Sequence, residues 1–183
     1  MLELIRTKRT DFRLLERMNI HYSQPKGFVG RNICYAILYD KIYYGHIVGG
    51  SATKHLPNRN KFFNMEQSQL VNIVNNLFYN ISRVDGKYPK RNFTTFVLKR
   101  FTEQISYDWK EKYGDDVIGF ETLIEKPRTG KLYKKAGFQV IGETKGYTCK
   151  RVKGKGTDSW HGKRVWNTDP NSLRPKYVLA KKV

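Results

Sequence analysis

The 183-residue chain carries 35 Lys and Arg against 16 Asp and Glu, a formal charge of +19, with 39% hydrophobic and 14% aromatic residues. That hydrophobic content excludes disorder throughout, and the length suits one domain with a proper core. No apolar run reaches about 18 residues, so no membrane-spanning helix and no membrane partner are expected. The first residues, Met1 to Arg6, lack the apolar core of a signal peptide, and a cytoplasmic location is expected.

In chain order, Thr10 suits the cap of a helix from Asp11 to Met18, with Leu14, Leu15 and Met18 on one face. His21 to Arg31, HYSQPKGFVGR, is a loop by its Pro and two Gly. Ile33 to Tyr39 and Ile42 to Ser51 read as a hairpin around Asp40-Lys41. Thr53 to Asn64 is polar and predicts a loop. Apolar spacing from Glu66 predicts a helix to about Asn75, then a strand over Leu77 to Ser82. Asn92 precedes the longest helix, Phe93 to about Lys112, with Phe93, Phe96, Val97, Phe101, Ile105 and Trp109 as its buried stripe and Gly114 as its end. Val117 to Glu125 is a strong central strand, Thr129 to Ala136 a short helix closed by Gly137, and Gln139 to Tyr147 another strand. Late strands are expected near Gly162 to Trp166 and Lys176 to Ala180. This order predicts an α/β (α+β) domain, a mixed central sheet flanked by helices.

A charge of this size attracts polyanions, and nucleic acid is the first candidate partner. From Lys145 to Val183 eleven Lys and Arg face two Asp. Trp160, His161, Lys163, Arg164 and Trp166 in that stretch suit stacking on bases and phosphate contact, or the tryptophans cover one end of the core. The expected organisation is one main domain over residues 1–150 and a basic, aromatic-containing extension over 151–183 packed on it. Cys34 and Cys149 are expected as free thiols, and with four scattered His they give no zinc spacing, so no metal is expected.

Leu132 to Phe138, LYKKAGF, between two strands resembles the closing part of the GCN5-related N-acetyltransferase (GNAT) fold. The resemblance implies a helix packed by the acyl-donor tail and a tyrosine, Tyr133, that protonates the leaving thiolate. The family's glycine-rich turn before the long helix is replaced by GKYPKRNFTT, Gly86 to Thr95. There Lys87, Lys90 and Arg91 are candidates for holding a phosphate. Acetyl-coenzyme A and aminoacyl-tRNA both stand as donors.

Ile20 to Ser51 resembles the start of the Mom family of phage proteins that modify DNA adenine, through its His-Tyr-Ser triplet, loop and hairpin. ETLIEKPRTGKLYKKAGFQVIGETKG resembles a later Mom segment, and Leu70 to Thr148 is similar to a component of the Druantia anti-phage system. The Mom resemblance implies transfer of a carbamoylmethyl (acetamido-type) group to the N6 amine of adenine, with DNA as partner and the base flipped out or single-stranded. It also implies roles for His21, Tyr22, Ser23, Glu125 and Tyr133. Where iron is invoked, His21, Tyr22 and Glu125 would be its ligands.

An exocyclic amine is a poor nucleophile and needs a base. Alternation puts Glu121, Leu123 and Glu125 on one strand face, so Glu121 or Glu125 is a candidate base, or both are surface carboxylates. His21 suits proton transfer near neutrality, metal ligation or a structural role. Arg31 and Ser51 flank the hairpin and are placed in the same cleft, or Ser51 caps a strand end. Arg128, Gly130 and Lys131 are candidates for a phosphate contact. Tyr133 is either catalytic or packing. The alternatives are a GNAT-fold acyl or aminoacyl transferase with another acceptor, a protein N-acetyltransferase, and a non-catalytic nucleic-acid-binding defence component.

Overall fold

A computed structural model describes residues 1–152, 163–167, 169 and 173–183. Its strands are β1 (Leu2–Thr7), β2 (Asn32–Tyr39), β3 (Ile42–Ser51), β4 (Ile73–Ile81), β5 (Gly119–Glu125), β6 (Gln139–Thr144), β7 (Thr148–Val152), β8 (Lys163–Asn167) and β9 (Lys176–Lys182). The helices are α1 (Phe12–Ile20), α2 (Pro57–Phe63), α3 (Phe93–Tyr113) and α4 (Lys131–Lys135), with a 3-10 turn at Gln67–Asn72. Seven strands form one sheet in the order β1-β2-β3-β4-β5-β9-β6, and β7 and β8 form a separate antiparallel pair. β9 therefore lies between β5 and β6, inside the main sheet.

All neighbours in the main sheet are antiparallel except β4 and β5. A parallel pair needs a long crossover, and α3 supplies it. This pairing is short: only Ile73↔Gly119, Val74↔Phe120 and Asn75↔Glu121 are in register. Beyond them β4 runs on to Ile81 and β5 to Glu125 without pairing to each other, so the two strands splay into a V. On its other edge β4 skips a residue against β3, since Val48 faces Phe78 and Gly49 faces Asn76, which leaves Leu77 unopposed.

The core has two parts. α3 lays Phe93, Val97, Leu98, Phe101, Ile105 and Trp109 on one face of the sheet. On the other face Leu14 and Met18 of α1 meet Phe28, Cys34, Val48 and Phe78. α3 starts after Asn92, whose backbone is left-handed (φ 56°), and ends at left-handed Gly114 (φ 79°). A left-handed residue at a helix C-terminus is readily supplied by Gly.

Several sequence expectations change. Asp11 rather than Thr10 caps α1, by accepting from the Arg13 amide. Leu15 is 44% exposed and Phe96 40% exposed, the latter beneath the Lys90 ammonium at 3.2 Å. The polar stretch expected as a loop holds α2, with Pro57 at its first turn, where the missing amide costs nothing. The expected helix from Glu66 has the reciprocal Glu66–Gln69 cap but winds only as a 3-10 turn. β4 then takes over at Ile73, because pairing with both β3 and β5 outweighs the helical spacing. β1 and β7 were not anticipated.

Candidate active site

The V between β4 and β5 opens into a cavity of about 780 Å³. Its walls come from Asn75–Tyr79 of β4, Thr122–Glu125 of β5, the turn Pro127–Gly130 with the start of α4, and His21–Ser23 after α1. That volume suits a medium-sized organic ligand.

Tyr133 reaches the cleft from α4 and is 8% exposed. Its hydroxyl donates to Asn76 Oδ1 at 2.5 Å, and burial holds its pKa well above the ordinary tyrosine value. Asn76 is itself fixed, because its Nδ2 donates to the Val48 and Phe78 carbonyls, both at 3.1 Å. Thr122 Oγ1 donates to the Asn76 carbonyl at 3.2 Å. The amide thus closes the gap left by the bulge and roots the phenol at the apex of the V. Beside it, Asn75 Nδ2 donates to Thr53 Oγ1 at 3.0 Å.

At the mouth, rings meet in sequence at tilted angles, 40° for His21–Tyr22 and 54° for His21–Phe78. His21 lies 4.3 Å from Tyr22 and 4.9 Å from Phe78 between centroids, and the Arg128 guanidinium sits 3.5 Å over the Tyr22 ring. The Ser23 amide donates to His21 Nδ1 at 3.3 Å, and Ser23 Oγ is 2.8 Å from the same nitrogen. A backbone N–H only donates, so Nδ1 is unprotonated and the neutral ring carries its proton on Nε2. Burial and then Arg128 push the His21 pKa down. Glu125, at the end of β5, is half-buried with Arg174 at 3.6 Å, and burial raises the Tyr22 pKa.

His21, Tyr22, Ser23, Glu125, Arg128, Gly130, Lys131 and Tyr133 all line this one cavity. Gly130 is left-handed (φ 66°) and starts α4. Glu121, Arg31, Ser51, Lys90 and Arg91, candidates from the sequence, do not line it. Glu121 is fully buried and bonded to the Arg59 guanidinium and the Thr53 amide, both at 2.5 Å, so it is not a free base. The strand-face argument paired it with Glu125, but one carboxylate enters the core and the other the cleft. Arg31 and Ser51 sit where β2 begins and β3 ends, outside the cavity lining; Ser51 Oγ accepts from the Arg31 amide at 3.1 Å and Arg31 pairs with Asp115. Lys90 and Arg91 lie on the exposed turn before α3. Trp160 and His161 lie outside the described residues, as do the side chains of Lys163, Arg164 and Trp166, whose backbone belongs to β8.

Asn76, Asn75, Thr53 and Thr122 were missed. Their signal was present: two adjacent amides inside an apolar strand are costly to bury without partners.

The mixed seven-stranded sheet, splayed at its one parallel pair and flanked by helices, is the GNAT acetyltransferase fold. Solved structures with that fold include an acetyltransferase from Bacillus subtilis in complex with CoA. Its TM-score is 0.58 at 13% identity, covering 100% of this chain and 99% of that one. Aminoglycoside acetyltransferase AAC(6')-Ib with coenzyme A and kanamycin gives 0.55 at 11% identity, covering 100% and 95%. A GNAT family acetyltransferase from Elizabethkingia anophelis with acetyl-CoA bound gives 0.51 at 12%, covering 100% and 98%. No protein-family model matches the chain. No curated protein matches it either.

Proposed function

We propose that the chain is a group transferase that moves a small acyl-type group from a coenzyme A thioester held in the β4–β5 cleft to an amine of a nucleic-acid base. The acceptor proposed is the N6 amine of adenine, which loses a proton as the N–acyl bond forms and the carbon–sulfur bond breaks, giving an N6-amide in place of the N-alkyl carbamoylmethyl group that the Mom resemblance implies. The observation that carries the transferase reading is the V itself, with Tyr133 rooted at its apex through Asn76.

The residues present fit coenzyme A. Past Asn75 and Glu121 the facing strand edges have no ladder partner, so they suit the amides of an extended pantetheine tail. Tyr79 lines the cleft and donates to the Thr94 carbonyl at 2.7 Å, which ties the start of α3 to one end of it. There Phe93 and Phe96 use their amides on Lys90 and Asn92 carbonyls, while the first-turn amides of Thr94 and Thr95 lie outside the ladder. With Lys87, Lys90 and Arg91 just ahead of them in the chain, they suit a pyrophosphate without the usual glycine turn.

Coenzyme A, when bound, supplies the acyl group on a good leaving thiolate. Tyr133, held neutral by burial, keeps a hydroxyl proton at the apex. Glu125 offers a carboxylate at the end of β5 to take the amine proton. His21, Tyr22 and Phe78 form a ring ladder suited to a planar acceptor, and Arg128 over Tyr22 brings positive charge beside it. The charge of +19 supports a polyanionic acceptor. Iron belongs to the Mom-based reading only; His21 Nδ1 accepts from the Ser23 amide and Nε2 carries the ring proton, so the ring as held offers a metal no free lone pair.

The test is expression in a bacterium, digestion of its DNA to nucleosides and mass spectrometry. A deoxyadenosine adduct absent from cells making Tyr133→Phe is expected. Unmodified DNA beside soluble, coenzyme-A-binding protein would sink the DNA acceptor but leave a GNAT-type transferase acting on another amine.

A further inference from the structure

A second cavity, of about 600 Å³, opens where the end of β1, the turn before α1, the start of β2 and the end of α3 meet. Arg6, Lys8, Arg9 and Lys112 line it with the hydroxyls of Thr7 and Thr10, and no lining residue is acidic. Arg6 is committed to Asp108 and Glu111, and Lys112 donates to the Asn32 carbonyl at 3.1 Å. Lys8 and Arg9 are exposed and form no ion pair among the described residues. Burial pushes the Cys34 thiol up to about 11, with Lys112 and Arg9 pulling it down and Asp11, itself held by Arg13, pushing it up, consistent with both cations standing at the wall beside it. Cations and hydroxyls around a concave, acid-free wall concentrate positive potential, the setting for an anion with several oxygens.

The position of this cavity links it to the cleft. α1 begins beside it and ends at His21–Ser23 in the cleft. Leu14 and Met18 hold the helix on the sheet face that carries Cys34, which lines the second cavity, and Phe78, which lines the cleft. The 9 residues of α1 span about 14 Å. Along a duplex that is roughly four nucleotide steps, at about 3.4 Å per step of one strand.

We propose that this cavity is a phosphate-binding site that grips the backbone of the nucleic acid a few nucleotides from the acceptor base. The source of the phosphate rests on the acceptor reading above; the anion site rests on the cavity alone.

The test measures binding of a fluorescent single-stranded DNA 16-mer by anisotropy across a salt series. The proteins are the full chain, the double variant Lys8→Gln/Arg9→Gln, and Lys41→Gln/Lys99→Gln, which removes equal charge elsewhere. One or two lost phosphate contacts would flatten the slope of log K against log salt by about 0.7 to 1.4. That flattening, with several-fold weaker binding in the first variant and less in the second, is expected. Because both residues are exposed, the denaturation midpoint should not move. Equal slopes in both variants would overturn the site. Pyrophosphate titration by phosphorus NMR separates the sources. Binding of pyrophosphate lost in Lys8→Gln/Arg9→Gln, with no DNA binding by the full chain, would keep a small-phosphate site and overturn the backbone grip. No binding of either anion would overturn both.

Discussion

Asn76 is the residue on which the candidate site turns. Its amide spans three elements, holding the β3 and β4 carbonyls on one side and the Tyr133 hydroxyl on the other. Tyr133→Phe leaves Asn76 Oδ1 without its donor, and a buried unpaired acceptor costs about 1–3 kcal/mol. We expect the unfolding free energy from urea denaturation lowered by that amount and turnover reduced by on the order of 100-fold, the usual scale for losing a positioned proton donor. A variant that loses stability but keeps full turnover would make the phenol a packing residue. His46 gives a pH prediction. It is fully buried on β3, bonded to Tyr43 at 2.6 Å, and burial pushes its pKa down to about 4. The unfolded chain takes up a proton near pH 6.5, the folded one only near 4. Stability is therefore full above about pH 6.5 and falls as pH drops toward 4. Denaturation midpoints at pH 7.5, 6, 5 and 4.5 should show that fall, flattened in His46→Gln. At this scale the sequence displayed the chemical groups: the His-Tyr-Ser triplet, Glu125, Arg128 and Tyr133. It did not display which partner each would find. Glu121 and Glu125 share a strand parity, yet Arg59, from a stretch expected to be a loop, claims one of them.

At the scale of elements, patterns were legible where a single partner decided them. The β2–β3 hairpin and α3 follow their residue spacing closely, because local turn chemistry and one buried stripe suffice. β4 was half-read, because its neighbours on both edges are remote in sequence and their pairing overrides the helical period. Glycine shows the same dependence on remote partners. Gly49 passes so close to α3 that an added Cβ would stand 2.2 Å from Ile105 Cδ1 and 2.9 Å from Val74 Cγ1. Gly49→Ala should lower stability by about 1–3 kcal/mol through overpacking. Pairing it with Ile105→Val, which removes the nearest carbon, should restore part of the loss in a chemical denaturation series. No restoration would place the strain in the backbone instead.

For the molecule as a whole, the class and the basic charge were legible, whereas the joining of its parts was not. The buried Arg59–Glu121 pair fastens α2 to the centre of β5. Arg59→Met strands a carboxylate in the core and should cost about 3–5 kcal/mol, whereas Arg59→Met/Glu121→Leu should cost markedly less. Equal losses would show that packing, not charge, governs the site. The insertion of β9 has a kinetic consequence. β5 and β6 follow each other along the chain but never touch as strands; each must wait for a segment that comes after the whole β7–β8 arm. During folding both therefore present bare hydrogen-bonding edges, and the closing of the sheet is a late, long-range event. The interval before β9 arrives is when this chain is most open to pairing with another copy of itself, and a chaperone or dilution in that interval would be expected to raise its refolding yield.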